Sequence, residues 1–223
     1  MTQRTIWIGL PAYNEEATIP ALFPRFREVF PDKSAAYRIV LYNDGCTDRT
    51  VERTLGWQNE LNVEVIGKPV NKGLGEGLRC LVEHAATHGA DDDVLFIMDC
   101  DDTHHPSQFA DMLAVLDRGN DVVIASRYRK GARIAGLAPH RKLLSIGAAL
   151  LFKLMHWCPG VLDYTCGYRG YRVSLLKRAR AHYGERLIEE RGFACMVELL
   201  LKLNHLGAKM AEVPDRKSTR LNS

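Results

Sequence analysis

Val94-Leu95-Phe96-Ile97-Met98-Asp99-Cys100-Asp101 is the stretch on which the reading of the fold turns. The apolar run from Val94 to Met98 has the length and composition of a strand buried on both faces. Asp99 and Asp101 close it, two residues apart on extended backbone, so their carboxylates point to the same side. They therefore stand at the carboxyl end of the strand, the edge at which open α/β sheets bind ligands. Paired hard oxygen ligands with room left for water and phosphate suit Mg²⁺ or Mn²⁺ better than Zn²⁺. The competing reading is a solvated acidic loop, because Asp-x-Asp occurs by chance in many sequences.

Outward from this strand, the chain alternates between the two periodicities. Ile6 to Leu10 reads as a first strand broken by Pro11, and Thr18 to Phe30 as a helix carrying Ile19, Leu22, Phe23, Phe26 and Phe30. Arg38 to Tyr42 is a second strand ended by the turn Asn43-Asp44-Gly45, followed by a helix from Asp48 to Trp57 and a strand from Val63 to Ile66. Asn71-Lys72-Gly73-Leu74-Gly75 leads into a helix with Leu78, Leu81, Val82 and Ala85 inside. Past the central strand come a helix from Pro106 to Leu116 and a strand from Val122 to Ala125. Strands alternating with helices over short connections predict a parallel, doubly wound sheet flanked by helices.

After residue 126 the pattern changes. Arg127 to His140 reads as a polar, mobile loop, and Lys142 to Trp157 as an apolar helix that either packs on the sheet or lies in a bilayer surface. Phe193 to Leu206 is a further amphipathic helix and Lys209 to Val213 a last strand.

Composition bounds the function loosely. A chain of 223 residues, 46% hydrophobic and 26% charged, is ordinary for one globular domain. The net charge of +3 is matched by Arg216, Lys217 and Arg220 near the end, so it gives no reason to expect a nucleic-acid partner. Six cysteines without a Cys-x-x-Cys pair fit a reduced, cytoplasmic setting. Polar Met1 to Arg4 followed by a strand does not read as a signal peptide, and no apolar stretch is long enough to span a bilayer.

The polar motifs cluster after strand ends. Tyr13, in Pro11-Ala12-Tyr13-Asn14-Glu15, offers a flat face for a nucleobase; the plainer reading is a turn in which Asn14 or Thr18 caps the next helix. Asp44 offers an acceptor for the ring N–H of uracil or guanine, while Asp48 reads as a helix cap with Thr50 as its rival. Lys72-Gly73-Leu74-Gly75-Glu76-Gly77 lacks the spacing of the phosphate-binding and dinucleotide loops and reads as close backbone packing, with Lys72 near a phosphate or ribose. Thr103 or His105 could complete a metal shell or face a sugar; alternatively His105 caps a helix that begins at Pro106.

Taken in order, Pro11-x-Tyr13-Asn14-Glu15, Asn43-Asp44-Gly45-x-Thr47-Asp48, Asn71-Lys72-Gly73-x-Gly75 and Asp99-x-Asp101-x-x-His104-x-Pro106 resemble family 2 glycosyltransferases of GT-A fold. Ala125-Ser126-Arg127-Tyr128, the Arg141/Ser145 pair and Thr165-Cys166-Gly167-Tyr168-Arg169 resemble its dolichyl- or polyprenyl-phosphate mannose synthase branch. Gly192-Phe193, Glu198 and Glu212-Val213-Pro214 continue the likeness.

The resemblance implies a single GT-A domain over 1–214 and a nucleotide-sugar donor, GDP-mannose or a UDP-hexose. Pro11, Tyr13, Asn14, Glu15 and Asp44 would hold base and ribose, with Lys72, Asp99 and Cys100 nearby. Asp99 and Asp101 would bind the divalent ion, and Arg127, Arg141 and Ser145 would face the transferred sugar and the phosphate of a polyprenyl acceptor. Cys46, Cys100 and Cys166 stand where the family has Ser or Ala and read as packing groups. The implied reaction is an inverting hexosyl transfer, mannosyl among the candidates, at the cytoplasmic face of a membrane that the protein touches peripherally. An acceptor phosphate needs no base; a saccharide hydroxyl would need one, with Asp163 or Asp102 as candidates, although Asp163 reads equally as a cap for Thr165. Residues 215–223 do not follow the family's spacing and read as an irregular tail, truncated or foreign, which leaves open a nucleotide-sugar-binding module without turnover.

Overall fold

The structure is a computed structural model and describes residues 4–101, 103–132 and 158–216. Its frame is a seven-stranded sheet in the order β3-β2-β1-β4-β6-β5-β7. The strands are β1 (Ile6–Ala12), β2 (Tyr37–Asp44), β3 (Val63–Lys68), β4 (Val94–Ile97), β5 (Val122–Ser126), β6 (Arg169–Arg172) and β7 (Met210–Pro214). All pairings are parallel except those of β6, which runs against both β4 and β5. The described helices are α1 (Ile19–Val29), α2 (Thr50–Leu55), α3 (Leu74–His88), α4 (Phe109–Asp117), α5 (Val173–Tyr183) and α6 (Cys195–His205).

β4 is buried along its whole length, as its unbroken apolar run requires in a sheet covered on both faces. Phe96 stacks on Phe109 of α4 with ring centroids 4.6 Å apart, and Phe109 stacks in turn on Phe26 of α1. On the other face, α3 packs against α5 and α6. The central aromatic layer also dictates Gly170 in β6, since a Cβ there would lie 2.5 Å from the Phe96 ring.

Several expected boundaries move. Pro11 does not end β1, which runs on to Ala12. β4 pairs with β1 only as far as Gly9–Ile97, so on that side no ladder bond needs the missing N–H of Pro11. The helix expected from Pro106 begins instead as a 3₁₀ turn, Pro106–Gln108, and becomes α-helical at Phe109. β6 and α5 were not expected. The apolar helix expected over 142–157 and most of the loop before it lie outside the described residues.

Candidate functional site

Parallel strands bring the ends of β1, β2, β4 and β5 to one edge of the sheet, and the reversed β6 begins there. Tyr13 follows β1 with half of its surface (50%) open to solvent. Asn14 adopts φ 56°, a left-handed conformation Asn tolerates better than most residues, and its Oδ1 accepts the Thr47 N–H at 2.8 Å. Neither Asn14 nor Thr18 caps α1 through its side chain, which corrects the capping reading: Asn14 is spent on joining the β1 loop to the β2 loop. Glu15 donates its N–H to Thr50 Oγ1 at 2.7 Å and accepts the Thr18 hydroxyl at 2.8 Å. Asp48 accepts from the Thr50 N–H and hydroxyl just ahead of α2, and from the Glu16 N–H.

Asp44 is buried at the end of β2, and its two oxygens accept the backbone N–H groups of Lys72 at 2.7 Å and Gly73 at 2.9 Å. The carboxylate thus fixes the glycine-rich loop before α3, using one lone pair on each oxygen. The loop is packed as closely as its glycines suggest. Its neighbour is the segment before α6: the Gly75 N–H donates to the Arg191 carbonyl at 2.9 Å, and a Cβ on Gly75 would lie 1.8 Å from the Glu190 carbonyl.

At the end of β4, Asp99 keeps a third of its side chain exposed, and Asp101 accepts the Thr103 N–H at 3.0 Å and hydroxyl at 2.6 Å. Cys100 between them is buried; burial, then the nearby carboxylates of Glu15 and Asp101, push its thiol well above the usual range, as suits a packing group. Buried His104 approaches Asp99 at 3.9 Å and lies against the Tyr168 ring. His105 caps the 3₁₀ turn through Nδ1, which accepts the Ser107 N–H at 3.1 Å. Among the described residues, no group of three or more His, Cys, Asp or Glu converges as a metal cage. The available donor set is two carboxylates, which fits Mg²⁺ or Mn²⁺ because these ions keep waters and substrate phosphates in their shells. Gly167 leaves the room required: a Cβ there would stand 3.2 Å from Asp99 Oδ1.

The β5 end carries a cluster that sequence reasoning found only in part. Arg127 donates to Asp163 three times, from its backbone N–H at 3.0 Å, Nε at 2.8 Å and Nη2 at 2.7 Å, and from Nη2 to Thr165 Oγ1 at 2.5 Å. Asp163 is fully buried and also accepts the N–H groups of Thr165 and Cys166. Burial acts to raise its carboxyl, but the hydrogen bonds and charge of Arg127 outweigh this and hold it below the ordinary carboxylate value. A general base needs a lone pair facing its substrate; these contacts turn Asp163 inward, so its candidacy as a base gives way to that of an anchor. Behind it, Glu212, whose side chain is fully buried, accepts the N–H groups of Leu162 and Asp163 and pairs with Arg129 at 2.9 Å. The sequence singles out neither Arg129 nor a role for Glu212, because nothing in their local spacing announces the pairing. Asp102, Arg141 and Ser145 lie outside the described residues.

The description "Glycosyl transferase family 2" belongs to the family model that matches residues 7–180, and the chain belongs to that family. Within it, the chain is 28% identical to the dolichol-phosphate mannosyltransferase of Pyrococcus furiosus, over 92% of this chain and 54% of that one. It is 27% identical to the polyprenol monophosphomannose synthase of Mycolicibacterium smegmatis, over 96% of this chain and 77% of the relative. The chain thus spans about half the length of the Pyrococcus protein. Among solved structures, glucosyl-3-phosphoglycerate synthase from Mycobacterium tuberculosis, in complex with Mn²⁺, UDP and phosphoglyceric acid, superposes with a TM-score of 0.67 at 23% identity, covering 99% of this chain and 72% of that one. S. aureus TarS 1-349 in complex with UDP gives 0.65 at 21% identity, covering 95% and 58%. At such identities the likeness is one of fold, and the fold is the expected GT-A arrangement. No described helix is long and apolar enough to cross a membrane.

Proposed function

We propose that the chain is the catalytic domain of an inverting glycosyltransferase that moves a hexose from a nucleotide diphosphate sugar to a polyprenyl phosphate, working peripherally at the cytoplasmic face of a membrane. The observation that carries this reading is the pair Asp99 and Asp101 at the end of β4, beside the half-exposed Tyr13 at the end of adjacent β1. The named relatives are a dolichol-phosphate mannosyltransferase and a polyprenol monophosphomannose synthase, and two structural neighbours were solved with UDP.

In this reading the donor base stacks on Tyr13. Asp44 shapes the base pocket through its hold on Lys72 and Gly73, and its remaining lone pairs serve a ring N–H. Pro11, Asn14 and Glu15 set the β1 loop that carries the tyrosine. Asp99 and Asp101 would hold Mg²⁺ or Mn²⁺, which supplies charge neutralisation for the departing diphosphate. An acceptor phosphate is already anionic at neutral pH, so its oxygen attacks the anomeric carbon from the face opposite the leaving group without a base. Arg127 would bind that phosphate, with Arg141 and Ser145 its partners by family resemblance alone, and its pairing with Asp163 holds the guanidinium ready before substrate arrives. A saccharide hydroxyl acceptor is less well supported, because Asp163 is committed to its own neighbours.

The test is calorimetric titration of GDP-mannose and UDP-glucose, with and without Mn²⁺, into the wild type and Asp101→Ala, followed by transfer assays with polyprenyl phosphate. One donor is expected to bind, with affinity that depends on both Mn²⁺ and Asp101. Binding without transfer would identify a nucleotide-sugar-binding module, and no binding of either donor to the wild type would overturn the reading.

A further inference from the structure

Arg169 is the largest fully buried side chain described, and it has no ion-pair partner among the described residues. A guanidinium taken out of water without a counter-ion is costly unless hydrogen bonds to oxygen replace its hydration. Here they do: Nε donates to the Cys166 carbonyl at 2.7 Å, Nη2 to the Tyr164 carbonyl at 2.7 Å and Nη1 to the Met196 carbonyl at 2.6 Å. Two of these oxygens belong to the turn that follows Asp163, and the third to the first turn of α6. The planar fork of an arginine can serve all three at once, whereas a lysine ammonium on a flexible stem cannot.

What this turn carries explains the expense. Asp163 and Thr165 receive the Arg127 guanidinium, and Gly167 makes room for Asp99. Glu212 holds the turn from the other side through the Leu162 and Asp163 N–H groups.

We propose that Arg169 is a positioning residue for Arg127: by gripping the backbone at residues 164 and 166 it fixes the turn that presents Asp163 and Thr165, and so sets the direction of the Arg127 guanidinium toward the acceptor. This rests on the glycosyltransfer reading for its catalytic consequence, but its structural part can be tested separately.

The structural readout is Cys166, a thiol inside the turn that reacts only when the turn opens, because it is buried. Cys80, half-buried on α3 and outside the turn, reports opening elsewhere. In Arg169→Lys, site-resolved thiol labelling of the native protein is expected to speed up about 10-fold at Cys166, as befits losing at least one charge-assisted hydrogen bond, with Cys80 unchanged. In sugar transfer, kcat is expected to fall by a similar factor with the donor KM unaltered. The same substitution made in Arg127→Ala is expected to add nothing further to the kcat loss, because Arg169 acts through Arg127. Labelling that rises at both cysteines together, including outright failure to fold, would overturn the proposal, as would a kcat loss that multiplies on the Arg127→Ala background. A wild type that transfers no sugar counts against the glycosyltransfer reading instead, and the labelling ratio then decides the positioning claim alone.

Discussion

Asp163→Asn separates an anchor from a base more cleanly than any other substitution at this edge. Both oxygens of Asp163 receive donors: Oδ1 from Arg127 Nη2, Thr165 N–H and Cys166 N–H, and Oδ2 from Arg127 Nε and backbone N–H. An amide in either orientation turns its NH₂ toward other N–H groups and leaves the Arg127 charge unpaired. Removing one partner of a buried ion pair costs about 3–5 kcal/mol. For a domain of this size each kcal/mol lowers Tm by about 2–4 °C, so a drop of about 6–20 °C is expected.

The pH dependence follows from the sign of the Asp163 shift. Its folded-state pKa lies below the unfolded value, so its contribution is complete above the unfolded pKa of about 4 and disappears as pH falls through the folded one. Calorimetric melts should therefore show a constant gap between wild type and variant from neutral pH down to about pH 5, closing only in stronger acid. A variant as stable as the wild type but without turnover would refute the reasoning and restore Asp163 as a base.

Tyr13→Ala removes a stacking surface worth about 1–3 kcal/mol, so nucleotide affinity measured by calorimetry should fall about 5- to 150-fold. Tm should hardly move, because the ring is half exposed. Gly75→Ala places a methyl 1.8 Å from the Glu190 carbonyl and must push apart α3 and the segment before α6. A loss of about 1–3 kcal/mol or more in urea titration is expected, and a neutral result would show that the two segments part freely.

The left half of the sheet was legible because its strands are apolar runs punctuated by glycine, proline and aspartate, and because parallel connectivity puts every punctuation mark on the same edge. β6 was not. Arg169-Gly170-Tyr171-Arg172 shows no hydrophobic alternation, since Arg169 is buried through backbone carbonyls and Gly170 is demanded by the Phe96 ring; both causes lie far away in sequence. α5 did leave a signal, with Val173, Leu175, Leu176 and Ala179 on its buried face, but the basic run of Lys177, Arg178 and Arg180 masked it. In the site, Asp99, Asp101 and Tyr13 could be found from strand ends alone. The commitment of Asp163 to Arg127, and of Glu212 to Arg129, could not, because residues separated by 36 and 83 positions meet only after the sheet has closed.

The reversed direction of β6 also has a consequence for how such a chain can diverge. In a wholly parallel sheet, a segment leaving the ligand edge would re-enter the next strand from the far side. Because β6 runs backwards, the stretch between Ser126 and Arg169 both departs from and returns to the ligand edge. It is a cassette with both ends at one doorway: it could be lengthened, shortened or exchanged without disturbing β1, β2 and β3. Under the proposed function, a lineage could vary the acceptor side through that interval so long as a glycine stays beside Asp99, and an engineer could attempt the same by grafting the interval with Gly167 kept.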